Sequence, residues 1–433
     1  MKRIATRLVL VSSMSVACAV APPPGPAAPA AAPLPAVTAT AASAPIPVQP
    51  NAQDTKPVEG SSAVTVATIT VVNPAAFARR SETVVLRRDE TEKLVPGFDF
   101  KKAIITDEAD KPLLSQIVDV NGDGTPDEIL FQTDLAASDK KTFKLRLGER
   151  HLAAPGDYKA YGRFVRERYD DFAWENDLVA HRMYGPALET AQKEPLTTSG
   201  IDVWVKRVPK LVVNEWYMTD DYHEDSGEGA DFYGVGKSRG CGGLGIWSDA
   251  KLVTSKNFVT SRVLANGPIR LIFELTYAPW EVAKGLKLSE TKRVTLDAGS
   301  QFNHFESTFA GAGKKPLTVG IGIAKHAGSA VQVEPETSSM RVWEPLKGLK
   351  GEDSGNLGTA IVLAPGSKLE QHTSDIDYVA TTALPASGKL AYLMGSAWDR
   401  AGHVRDAAAW AAEVKAQAAR LAAPVQVTVA AAK

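Results

Sequence analysis

The chain has 433 residues and nearly balanced charge, with 49 Lys and Arg against 50 Asp and Glu. Its length allows one large domain or two ordinary ones with ample core. A formal net charge of -1 excludes an electrostatic case for nucleic acid or an anionic membrane surface as partner.

The chain opens with a targeting pattern. Lys2, Arg3 and Arg7 form a basic region, and 4–20 is broadly apolar with small residues, too short to span a bilayer with normal flanks. Residues 1–19 therefore read as a signal peptide. Ala17-Cys18-Ala19 fits a small-x-small cleavage site. Ser15-Val16-Ala17-Cys18 resembles a lipoprotein box with Ser15 where Leu is usual, which makes Cys18 a lipid-anchor candidate. Either reading exports the chain, to the periplasm or to an outer-membrane anchor. After Cys18 only Cys241 remains, so no internal disulfide is available. A lone cysteine among glycines reads as a small packed residue. Residues 20–62, rich in Ala, Pro, Ser and Thr, cannot bury a core and read as a disordered linker.

Residues 63–150 read as a small β domain. Runs at 63–72, 83–87, 103–106, 116–120, 128–132 and 142–147 have strand composition and are separated by turn residues. One turn holds Asp119, Asn121, Asp123 and Asp127 at the D-x-N-x-D-G-x-x-D spacing of a calcium loop. Leu130 stands where an EF-hand places its bidentate Glu, and the flanks look like strands. A hairpin with an Asn-Gly-Asp-Gly turn is the competing reading. Calcium, if bound, is structural, and no cofactor is required.

Residues 151–425 continue in strand-like runs, from 201–208 and 211–217 to 390–394, with one Ala-rich helical run at 405–421. This pattern predicts a mainly β protein: a large antiparallel sandwich behind the smaller N-terminal β domain. Two segments within it are dense in chemistry. Residues 168–189 hold Trp174, Glu175, Asn176, Asp177, His181, Arg182 and Tyr184. On a strand, His181 and Met183 share one face and Arg182 and Tyr184 the other. Residues 214–247 place Trp216, Tyr222, His223, Glu224, Asp231, Tyr233, Lys237 and Arg239 among glycines, with neither helical nor strand periodicity. Lys206 and Arg207 follow Trp204 on a probable strand. The two segments are expected to meet over one face of the sandwich.

Nucleotide motifs do not survive their context. Gly240-Cys-Gly242-Gly243-Leu-Gly245 matches G-x-G-x-x-G, but a polar loop precedes it and a strand pattern follows. Gly236-Lys237-Ser238 has Asp231 where a Walker loop needs its first glycine.

The strings WENDLVAHRMYGPALE, GIDVWVKR, WYMTDDYHEDSGEGADFYGVGKSRGCGGLGIW and ANGPIRLIFELTY resemble the domain-of-unknown-function family numbered 4861 over most of 65–425. That family looks like the galactose-mutarotase-like sandwich group, which includes epimerases and domains of polysaccharide lyases and hydrolases. The resemblance implies a polysaccharide or oligosaccharide substrate, uronate-containing polymers among them. It fixes no reaction.

Two chemistries suit these residues. β-Elimination on a uronate needs a cation for the sugar carboxylate, a base for the adjacent proton and an acid for the leaving oxygen. Arg239, Arg182 or Lys237 suit the first role, His223 or His181 the second, and Tyr222, Tyr184 or Tyr233 the third. Trp174 and Trp216 suit sugar stacking. Glu175, Asn176, Lys206, Arg207, Asp231 and Tyr233 supply further polar contacts. Epimerisation or mutarotation would use a histidine with Glu175 or Glu224. Hydrolysis would need two carboxylates from Glu175, Asp177, Glu228 and Asp231. A carbohydrate-binding module without catalysis is the non-enzymatic alternative.

Overall fold

The computed structural model describes residues 54–57 and 63–432, except 194, 220, 221 and 314. The expected signal peptide, Cys18 and most of the expected 20–62 linker lie outside the described residues.

The protein is mainly β, built from antiparallel sheets with few helices. The N-terminal part is a sandwich. The strand Val64–Val72 pairs with Lys140–Leu147 on one side and with the chain's last strand, Gln426–Ala431, on the other. The facing sheet holds Arg79–Arg87, Glu128–Leu135 and Ser115–Val118. Ile69, Val71, Val84, Ile105, Phe131 and Phe143 fill the space between them. Two features depart from the sequence reading. Asp54–Pro57, inside the expected unstructured linker, forms a strand because its main chain pairs with Ser115–Val118 and Arg150–Leu152. Residues 426–431, beyond the expected end of the large sandwich, return to complete the small one.

The large part has an eight-stranded sheet running from Thr260–Ala265 to Ala330–Glu334. Two five-stranded sheets belong to the facing layer, and a parallel bridge between Ile201 and Gly240 connects them. Gly240 has φ +58, and a Cβ there would lie 2.0 Å from the Ile201 carbonyl oxygen. The bridge therefore requires glycine. The first five-stranded sheet runs Gly229–Ala230, Ile201–Lys206, Ala180–Met183, Asp171–Asn176, Ala160–Val165.

Strand alternation gives that sheet two buried faces. Phe172, Trp174, Met183, Ile201, Val203 and Val205 enter the main core with Phe273, Leu275 and Phe305. Ala173, Ala180 and Trp204 face the other way. There a second cluster with Val212, Val213, Trp216 and Tyr222 covers them. The helix Ala407–Ala422, capped by Asp406 accepting from the Ala409 amide at 2.8 Å, buries Trp410, Val414 and Ala418 against Ala360 and Val362. Among the described residues no helix is long and apolar enough to cross a membrane.

Candidate functional site

The outer face of the first five-stranded sheet carries a charged row. Arg182 lies directly opposite Asp202 across one strand pair and opposite Ala173 across the next. Asp171, two residues before Ala173, falls on the same face. The guanidinium of Arg182 reaches Asp202 Oδ2 at 3.0 Å, Asp171 Oδ2 at 3.7 Å and Asp231 Oδ2 at 4.0 Å. It also donates to the Tyr222 hydroxyl at 3.0 Å and stands 4.8 Å from the centre of the Tyr184 ring. Tyr184 donates in turn to Asp202 Oδ2 at 3.2 Å.

These groups open onto a cleft of about 430 Å³, within the range of small-ligand sites. Its walls come from distant parts of the chain: Arg168 and Asp171, the run 231–236 with His223 beside it, and the hairpin tip Lys347, Gly348 and Leu349. Lys350 in that tip pairs with Glu224 at 2.8 Å, tying the hairpin to the loop that carries His223.

Three buried carboxyls around one cation cannot all ionise freely. Burial pushes Asp171 up to about 6, with Arg182 pulling against it. Burial raises Asp202 as well. Asp231 goes furthest, pushed well above the usual carboxylate range by burial and by the charge of Asp202. Of the three carboxyls, Asp231 is therefore the one whose environment most favours the protonated form. His223 supplies the complementary group. Its Nδ1 lies 3.0 Å from the Asp231 carbonyl oxygen, which accepts and never donates. That contact places the hydrogen on Nδ1 and, in the neutral ring, the lone pair on Nε2. The His223 ring rests on Tyr222, with centroids 4.5 Å apart.

Two cations on the rim have no carboxylate within ion-pair distance among the described residues: Arg168 and Lys347. Arg168 lies over the rings of Tyr169 and Tyr222, at 5.5 and 5.6 Å. The Tyr233 hydroxyl is buried at the cleft wall without a hydrogen-bond partner.

Of the residues singled out in the sequence, Arg182, Tyr184, Tyr222, His223, Asp231 and Tyr233 converge at or beside this cleft. The others lie elsewhere. His181 is fully buried on the core face, where Asn303 donates to its Nε2 at 3.0 Å and Trp174 Nε1 donates to the same Asn303 at 2.8 Å. Burial lowers His181 to about 3, so it is a neutral core histidine. Asn176 bonds the main chain of Asp297 and Ser300. Glu175 and Lys206 form a fully buried ion pair at 2.8 Å, and Glu175 also accepts the amides of Val212 and Val213 at the start of the helix Val213–Met218. Trp216 stacks on Trp204. Arg207 pairs with Asp225 and covers Trp398. Lys237 is exposed.

Arg239 is buried and donates to Ser199, Thr198 and the Lys237 carbonyl, so it fixes a neighbouring loop. Among the acids raised for hydrolysis, Asp177 accepts from Gly299 and Glu228 pairs with Lys210.

Asp171, Asp202, Arg168 and Lys347 were not singled out in the sequence. A carboxylate between Ile201 and Val203, in the apolar first part of the strand Ile201–Lys206, is the available signal for Asp202.

The acidic turn is closed by its own side chains. Asp119 accepts from the amides of Gly122, Asp123 and Gly124, at 2.6, 3.2 and 2.6 Å. Asn121 accepts from Asp123, Asp123 from Thr125, and Asp127 from Val120. No group of three or more His, Cys, Asp or Glu side chains placed to hold a metal ion occurs among the described residues.

A mainly β architecture with a charged cleft on one sheet is thus the class of protein at hand. The chain belongs to the family described as Domain of unknown function (DUF4861), whose model matches residues 71–427. It is 33% identical over 381 residues to "Uncharacterized protein P7" of Formosa agariphila, covering 83% of this chain and 93% of that protein. Among solved structures it is similar to a protein in glycosyl hydrolase family 38 from Enterococcus faecalis, with TM-score 0.43, 11% identity and coverage of 85% of this chain and 47% of that one. It is also similar to an α-mannosidase from Enterococcus faecalis V583, with TM-score 0.41, 10% identity, and coverage of 85% and 46%. The chain spans about half the length of those two structures.

Proposed function

We propose that the protein is an exported carbohydrate-active enzyme that cleaves a uronate-containing polysaccharide or oligosaccharide by β-elimination in the Arg182 cleft. The carrying observation is the meeting, in one cleft, of a buried carboxyl cluster whose environment favours protonation and two rim cations, Arg168 and Lys347, that have no carboxylate within ion-pair distance among the described residues. In this reading Arg168 and Lys347 engage the sugar carboxylate and stabilise the charge that develops on it. His223 Nε2 takes the proton beside that carboxylate. The carbon–oxygen bond to the leaving sugar breaks as the ring double bond forms, and Asp231 gives its proton to the departing oxygen.

The paired layers of the large sandwich support the galactose-mutarotase-like assignment that the sequence resemblance suggested. The signal peptide supports export to the periplasm or to a lipid anchor in the outer membrane.

Incubation with uronic-acid polysaccharides tests the reading by the ultraviolet absorbance of an unsaturated uronate product. New reducing ends without that absorbance would replace elimination with hydrolysis. Binding without turnover, unchanged by His223→Ala, would make the protein a binding module.

A further inference from the structure

His326 stands outside the acid cluster and touches one wall of the cleft and a strand that leads to another lining residue. Its Nδ1 lies 2.5 Å from Glu344 Oε2, and its Nε2 lies 2.7 Å from the carbonyl oxygen of Gly234. Gly234 belongs to the cleft-lining run 231–236. Glu344 lies on the strand Ser339–Lys347, whose last residue begins the hairpin tip that also lines the cleft. Ser329 anchors the His326 turn by donating to the His326 carbonyl at 2.7 Å. The edge of the Tyr233 ring meets the imidazole at 5.1 Å.

The chemistry of the two contacts is restrictive. A carbonyl oxygen accepts only, and so does an ionised carboxylate. With Glu344 ionised, both ring nitrogens must carry hydrogen for both bonds to exist; a neutral imidazole carries one, and would need Glu344 to hold the other proton. Glu344 is fully buried, and its other oxygen, Oε1, has no partner. Losing the His326 proton either frees Gly234 or leaves a buried carboxylate without its main donor.

We propose that His326 is a positioning residue: as an imidazolium it ties the 231–236 wall to the strand Ser339–Lys347, whose last residue also lines the cleft, and on deprotonation it lets the 231–236 wall loosen. Its bearing on catalysis rests on the proposed reading of the cleft.

The surroundings agree with a charged ring. Burial works against the cation, but the hydrogen bond and charge of Glu344 more than offset it, so the imidazole titrates above the ordinary histidine range. Asp377, on the strand Asp377–Ala383, adds a second negative charge, and it also accepts from the Arg239 amide at 2.7 Å. Tyr233 faces the ring from the cleft run. Lys325 is the neighbouring cation in the chain, and its Nζ points to the Ser374 carbonyl at 3.4 Å. The sign follows: the tie is fully present below the ordinary histidine pKa and is lost as pH rises through the elevated one.

Hydrogen exchange of the full exported chain across pH 5.5 to 9, corrected for intrinsic rates, reads the wall directly without any turnover, while nitrogen NMR of the imidazoles follows His326 itself. Protection of peptides covering 231–236 should fall at least tenfold as His326 titrates. His326→Gln should remove the step, and Glu344→Gln should move it to lower pH. A wild-type profile without a step, a step that persists in His326→Gln, or a single protonated ring nitrogen below pH 6 would each overturn the proposal. Should His326→Gln fail to fold, the wild-type NMR and the Glu344→Gln shift decide. Inactivity on every uronate polymer with the step intact would sink the enzymatic reading and leave the tie standing.

Discussion

Arg182 and Asp202 face each other across neighbouring antiparallel strands, with Nη2 3.0 Å from Oδ2. The register of one strand pair therefore builds the centre of the cleft. A one-residue slip would exchange this pair for core residues such as Met183 and Val203. Because the sheet is covered on both faces, the pair sits in low dielectric, and the flanking Asp171 and Asp231 raise the negative charge beyond what one guanidinium balances.

That imbalance makes Asp171 a pH-dependent liability. Its folded carboxyl titrates at about 6, because burial outweighs Arg182, whereas an unfolded aspartate titrates near about 3.9. Between those values the folded state holds a proton that the unfolded state has released. The stability that this proton supplies is complete below the unfolded pKa and is lost as pH rises through about 6. Asp171→Asn should therefore gain on wild type between pH 4.5 and 7.5, by up to about 2 kcal/mol, because the span from pH 4.5 to about 6 covers about 1.5 pH units at roughly 1.4 kcal/mol per unit. Melting temperatures at both pH values measure the gain. A gap independent of pH would remove Asp171 from the cluster.

The Glu175–Lys206 pair makes the opposite kind of prediction. Lys206 Nζ also donates to the carbonyls of Asn176 and Lys210, at 2.8 and 2.7 Å. Lys206→Met would leave Glu175 charged and fully buried, a change worth about 3–5 kcal/mol when one partner of such a pair is removed. The helix Val213–Met218 begins on Glu175, so the Trp204–Trp216 stack should loosen with it. Urea unfolding and near-ultraviolet circular dichroism measure both effects. The double variant with Glu175→Gln should recover part of the loss, and no recovery would mean that packing, not charge, holds this corner.

How far the sequence reached follows from which forces are local. Alternation placed His181 and Met183 on one face and Arg182 on the other, as found. The spacing of Trp410, Val414 and the alanines placed the last helix to within two residues at its start and one at its end. Tyr184 meets Arg182 and Asp202 on their side of the sheet, although the strand itself ends at Met183. The 214–247 segment contains the helix Val213–Met218 and the strand Cys241–Ser248. The helix replaces the strand expected over 211–217, and the strand begins within the glycines, ahead of the pattern expected after them. Tertiary contacts fix both: Glu175 caps the helix, and Gly240 permits the close bridge that leads into the strand. Lys347 joins the cleft from well over a hundred residues downstream. No pattern within a local window announces such a neighbour.

The acidic turn tests how far motif spacing can be trusted. Asp119 is mostly buried and accepts three main-chain amides. Asp119→Ala should destabilise the protein by about 1–3 kcal/mol through those unsatisfied donors, with Asp119→Asn losing less. Thermal melts with calcium and with a chelator separate the two readings of the turn. A calcium-dependent rise in the wild type that Asp119→Ala abolishes would make it a cation loop. Equal melts in both conditions would make it a self-capped hairpin turn.

Arg168 offers the sharpest test of substrate charge. It lines the cleft over the faces of two tyrosines and has no carboxylate within 4.0 Å among the described residues. Removing it should therefore disturb no internal ion pair, and the unfolding free energy of Arg168→Ala should stay within about 0.5 kcal/mol of wild type, as for a surface substitution. Affinity for an acidic oligosaccharide should behave differently. A charge-assisted hydrogen bond contributes about 1.5–3 kcal/mol, so the dissociation constant should rise roughly ten- to a hundredfold, with a flatter dependence on salt. Lys347→Ala should act in the same direction and less strongly, because an exposed flexible ammonium makes a point contact where guanidinium makes a planar fork. Calorimetry with a uronate oligosaccharide and its carboxyl-reduced counterpart measures the difference. Equal losses on both ligands would show that Arg168 reads shape rather than charge, and would withdraw the uronate from the proposal while leaving the acid cluster in place.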